Sequence, residues 1–82
     1  MNEWQFSTAV DFIADMTAAE VARRYAEQKG VSTTDGVREF MATKTYALLV
    51  NPKSYLAFES VEYVLDMLEA ELSGDRERWF KI

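Results

Sequence analysis

Residues 3–29 read EWQFSTAVDFIADMTAAEVARRYAEQK, a run with neither glycine nor proline that leaves room for about seven helical turns. Phe6, Val10 and Ile13 share one face of such a helix, joined by Ala9 and Met16, and Val21, Ala22 and Tyr25 carry an apolar stripe further along. Thr17 followed by Glu20 matches a capping box, so two shorter helices meeting near Thr17 also satisfy the pattern. The alanines at the junction favour one continuous or gently broken helix. Glu20 with Arg24 and Arg23 with Glu27 add i,i+4 pairs worth a few tenths of a kcal/mol each. Gly30 then stops the helix in the left-handed cap position.

The remainder divides at its few breakers, since glycine recurs only at 36 and 74 and proline stands only at 52. Ser32 with Asp35 opens a second helix, with Val37, Phe40 and Met41 on its apolar face. Its pattern carries it into Lys44 or slightly beyond. The apolar run Tyr46, Leu48, Leu49 and Val50 leads to Asn51-Pro52, where the proline holds Asn51 extended and starts a turn. Tyr55, Leu56 and Phe58 are too few to assign to strand or helix. Ser60 caps a last helix with the stripe Val61, Val64, Leu65, Leu68 and Leu72, ended by Ser73-Gly74. The expected fold is therefore all-α, a small bundle of three to four helices with a long N-terminal helix. One helical domain spans 1–74, and 75–82 forms a charged and aromatic tail.

Composition narrows function. Histidine and cysteine are absent, which removes the residues that most often carry acid–base, nucleophilic and transition-metal chemistry. No catalytic residue, metal ligand or cofactor is expected, and the chain reads as a binding protein and not an enzyme. The lack of cysteine suits a reducing cytoplasm. Met1-Asn2-Glu3-Trp4 puts no basic region ahead of an apolar run, so no signal peptide is expected, and no apolar stretch approaches the ~20 residues of a membrane span. A net charge of −5 opposes attraction to nucleic acid or anionic lipid and favours basic partners.

Three constellations are candidate sites. On the last helix Tyr63, Met67 and Ala70 lie nearly opposite the main stripe, which gives this helix two apolar faces. The second face is either an interface for a partner or a second copy, or a surface covered by the chain itself. Trp79 and Phe80 of the tail either join such an interface or fold back onto the core. The second constellation is an acidic ridge, Glu62, Asp66 and Glu69, which would steer a basic partner or remain solvated. The third is Ala26, three residues on Gly30, then Val31-Ser32, a spacing that echoes the turn of a helix-turn-helix. The helix that would enter the groove carries Asp35, Gly36 and Glu39 against Arg38 and Lys44, which supplies neither the cations nor the stiffness for reading DNA.

From Arg38 to Leu72 the order Phe40-Met41, Lys44-Thr45-Tyr46, Leu49, a polar turn, Glu59-Ser60, Tyr63-Val64 and Glu71 resembles a loosely defined group of small bacterial all-helical proteins. In that group a long first helix ends at a lysine-glycine break, a short helix and a turn follow, and glutamate-serine opens the last helix. This chain departs from it at the turn, where Asn51-Pro52-Lys53-Ser54-Tyr55 replaces acidic residues, a glycine and a tryptophan. The group resembles antitoxins and accessory proteins of bacterial gene pairs in size. That resemblance implies a protein partner; the alternative, a helix-turn-helix-like DNA-binding regulator or antitoxin, rests on the Gly30 turn between two helices.

Overall fold

Helix α1 runs unbroken through Glu3–Lys29 and sets the length of the molecule. Its 27 residues at 1.5 Å each make about 40 Å, against a longest dimension of 41 Å. The computed structural model describes residues 2–81, with the side chains of all of them except Ser7, Phe80 and Lys81. Among the described residues there are five α-helices and no strand: α1, α2 (Thr33–Met41), α3 (Lys44–Leu49), α4 (Val61–Leu72) and α5 (Arg76–Lys81). Two single 3-10 turns, Pro52–Ser54 and Leu56–Phe58, join α3 to α4.

The caps explain the boundaries. Asn2 and Gln5 form a reciprocal capping box at the start of α1, with the Gln5 amide donating to Asn2 Oδ1 at 2.9 Å. No break occurs at Thr17, because an uninterrupted helix keeps every backbone bond that a second cap would have to replace. Gly30 closes α1 at φ 70°. Ser32 and Ser60 cap α2 and α4, accepting from the amides of Asp35 and Tyr63. The expected continuation of α2 into Lys44 does not form. Thr43 is extended, and its hydroxyl accepts from the Tyr46 amide to start α3 while donating to Phe40 O at 2.7 Å.

The core gathers Val21, Phe40, Leu49, Val64 and Leu68 from four helices, all fully buried, each contributing about 1.5–3 kcal/mol by area. Helix α2 packs on the C-terminal half of α1, and the two are tied by Tyr25 Oη donating to Glu39 Oε1 at 3.2 Å. Burial, and then the Glu39 carboxylate, push the Tyr25 hydroxyl pKa up. The α1–α2 approach is close because position 36 has no side chain. A Cβ there would sit 2.6 Å from Ala26 Cβ and 3.0 Å from the Ala22 carbonyl oxygen. The glycine that disqualifies α2 as a stiff reading helix is thus its contact point with α1.

Gly36→Ala gains about 0.8–1 kcal/mol of helix propensity but must push two backbones apart. The expected outcome is a net loss of about 1–2 kcal/mol in urea denaturation. An equal or more stable variant would show that α1 and α2 do not meet at this point.

Candidate functional site

On α4 the second apolar face is internal. Met67 is 5% exposed and Ala70 0%, while Tyr63 is half-buried and packs against the core. Together with Val64 and Leu68 they form a buried arc of roughly 160°. The rest of the chain covers Met67 and Ala70, so these two do not form an external interface, while Tyr63 lines the cleft beside Tyr55. Leu72, expected on the inner stripe, is exposed instead. Trp79 folds back, its Nε1 donating to Thr45 Oγ1 at 3.2 Å. The side chain of Phe80 lies outside the described residues.

The acidic ridge is answered from within the chain. Glu62 pairs with Arg24 at 3.1 Å, and Arg78 approaches Asp66 at 3.7 Å and Glu69 at 4.0 Å. All three carboxylates stay exposed, and Arg24 is shared with Glu20, so these are weak surface pairs.

Glu71 is the polar centre that the amphipathic reading passed over. It stands three residues after Leu68 and seven after Val64, which places it on the buried arc of α4. Its carboxylate accepts from the amides of Lys44 and Thr45, both at 2.8 Å, and from Thr45 Oγ1 at 2.7 Å. It thereby caps α3 from another helix, and the buried Thr45 hydroxyl passes the network to Trp79. Burial opposes ionisation of Glu71, but the three hydrogen bonds and the nearby Lys44 charge together outweigh it and hold the carboxyl pKa below its ordinary value. The signal available in the sequence is a glutamate at i, i+3 and i+7 spacing from core residues.

Exposed apolar side chains occur on several elements, and Trp4, Phe6, Phe12 and Met16 gather on α1. At 100° per residue Phe6, Ala9, Phe12, Ile13 and Met16 occupy an arc of about 120° beside Val10, Ala14 and Val21, with Phe12 and Met16 farthest from them and Ile13 packed against the core. Phe12 is 65% and Met16 60% exposed, Phe6 is exposed at the edge, and Ile13 is half-buried. The patch extends through ring contacts of 6.3 Å each from Phe6 to Phe58 and from Phe58 to Tyr55. Tyr55 adopts a left-handed φ of 57° between the two 3-10 turns, strain of about 1–2 kcal/mol that the local hydrogen bonds of Ser54 help to hold.

Beside this stripe, one helical step from Phe12, a cleft of about 220 Å³ opens between α1 and α2. Asp15, Ala18, Ala19, Val37, Met41 and Tyr46 are among its walls. Two others, of about 250 and 280 Å³, lie at Tyr25–Leu72 and at Tyr55–Met67. All three fall below the ~300 Å³ at which small-molecule sites usually begin. Among the described residues no cluster of carboxylates is placed to hold a metal ion, and no helix is long and apolar enough to cross a membrane.

Charge separates the carboxylates of α1. Hydrogen bonds from Arg23 and then Arg24, at 2.6 and 2.9 Å, lower the Glu20 pKa to about 2. Asp11 and Asp15 make no ion pair among the described residues. At the Gly30 turn, Arg38 is engaged by Asp35 at 3.5 Å and Gly36 is buried against α1, which leaves no basic stripe on α2 for a nucleic-acid backbone. No protein-family model, curated protein or solved structure matches this chain.

Removing the Glu71 carboxylate leaves two α3 amides without their acceptor, and Glu71→Ala is expected to cost about 1–2 kcal/mol. Because the folded pKa of Glu71 is depressed, its contribution is complete above the unfolded value and is lost as pH falls through the folded one, below 4.5. Glu71→Gln should therefore flatten the acid limb of the stability curve relative to the unsubstituted chain. Parallel curves for the two would contradict this role.

Proposed function

We propose that this chain is a protein-interaction module, without catalytic activity of its own, that receives a helix of a partner protein along the outer face of α1. The observation that carries this reading is the exposure of Phe12 and Met16 in a stripe with i, i+3, i+4 and i+7 spacing, the pattern by which one helix receives another. A stripe of this kind on an otherwise well-filled molecule marks a surface kept for contact, since exposed aromatic side chains cost solubility and return nothing to the fold. Methionine suits the role because its flexible thioether adapts to the shape of what it meets. Two observations favour a different protein over a second copy. The chain has no lysine or arginine before Arg23, and Asp15 borders the stripe beside Phe12, so two copies meeting there would bring carboxylates and no cation to the contact. A cytoplasmic setting fits a chain without cysteine.

The test is a photo-crosslinking residue at position 9, inside the stripe, introduced into the full chain in its source cells. A single reproducible adduct is expected, lost in a Phe12→Lys, Met16→Lys double variant whose unfolding free energy stays within about 0.5 kcal/mol of the original. An adduct that survives the double substitution would place the contact elsewhere.

A further inference from the structure

We infer that the cleft at Asp15 is a seat for an arginine or lysine side chain, supplied by a basic amphipathic helix docked along the Phe12–Met16 stripe; this rests on the reading of α1 as the docking face. The cleft combines three properties. Its walls are aliphatic, formed by Ala18, Ala19, Val37 and Met41, and Met41 is itself 53% exposed at the opening. Tyr46 contributes an aromatic ring. Asp15 contributes a carboxylate with no ion pair among the described residues. A long basic side chain matches this set: its methylene stem packs on apolar walls, its cation reaches the carboxylate, and an aromatic face adds attraction. The volume of about 220 Å³ is of the order of one large side chain and too small for a typical small-molecule ligand.

Among the described residues no cation of the chain is paired with Asp15. Arg23 is shared between Glu20 and Glu27, Arg24 between Glu20 and Glu62, and Arg38 is held by Asp35. Asp11, one turn before Asp15 on the same helix, is turned about 40° further from the stripe, so Asp15 is the carboxylate at its edge. A partner helix lying on Phe12 and Met16 with basic residues along one edge would meet Asp15. Its apolar face would supply contact area, while the charge pair sets orientation and register. Arginine is the better fit where its planar fork can bind the carboxylate through two donors. Nucleic acid and anionic membrane surfaces present the same sign of charge as this edge and are repelled by it.

The experiment uses the full chain with ¹³C-labelled methionine methyl groups. The probes are a helical peptide of about 14 residues with leucines at i, i+3, i+4 and i+7 and arginines on one edge, and its twin carrying citrulline in place of arginine. Met16 and Met41 report on the stripe and the cleft, and the buried Met67 is an internal control. The arginine peptide is expected to shift Met16 and Met41 but not Met67. It should bind about tenfold more tightly than the citrulline peptide, and Asp15→Asn should remove that difference. Equal affinity for the two peptides would overturn the basic seat while leaving the docking face intact. Peptide binding that leaves Met16 and Met41 unshifted would overturn both. Absence of binding by either peptide, or shifts of Met16 and Met41 that follow the concentration of the chain alone, would also overturn the proposal, the latter by giving the site to a second copy.

Discussion

A helix as long as the molecule cannot be covered on every side by the rest of a short chain. Helix α1 takes 27 residues of this 82-residue protein, and the remaining elements pack against one side of it. Helix α2 lies along its C-terminal half, held close by the missing side chain at Gly36, while the 3-10 turns and α4 reach the inner face beside Val10 and Ala14. What remains is an outer arc on the N-terminal half. Phe12 and Met16 on it are as apolar as core residues, but among the described residues none covers them.

The same economy explains the polar interior. Helix α3 has only six residues, too few to be stable from its own hydrogen bonds. It is held by a carboxylate from α4, so the break between α2 and α3 and the position of Trp79 all meet at Glu71 and Thr45. A charge on the buried arc of α4 is tolerated because three donors meet it there.

Much of the architecture was legible because helix ends are written in local chemistry. Ser32, Ser60, Gly30 and Gly74 each act within a few residues of their own position, and a run without breakers remained one helix through Thr17. The break at Thr43 was missed because its threonine cap lies inside a continuing apolar pattern. Direction was the larger loss. Periodicity shows that a helix has an apolar face but not which way the face points. Phe6, Ile13 and Met16 read as one apolar face, yet Met16 is exposed and Ile13 packs against the core, and of Tyr63, Met67 and Ala70, readable as an interface or as a face covered by the chain itself, Met67 and Ala70 lie inside. The acidic ridge suffered the same ambiguity, since Arg24 and Arg78, which face it, are 38 residues before Glu62 and 12 after Asp66. Long-range pairing of this kind leaves no trace in spacing along one helix.

The molecule therefore presents two kinds of negative surface. One faces two of its own arginines, and the other, at Asp15, borders exposed aromatic and methionine side chains. The distinction rests on which apolar face of which helix is outside. Hydroxyl-radical footprinting of the three internal methionines measures that directly. Met16 and Met41 are expected to oxidise at rates close to those of the unfolded chain while Met67 is strongly protected. Protection of Met16 in the monomer together with rapid oxidation of Met67 would reverse the assignment of inner and outer faces and contradict the account.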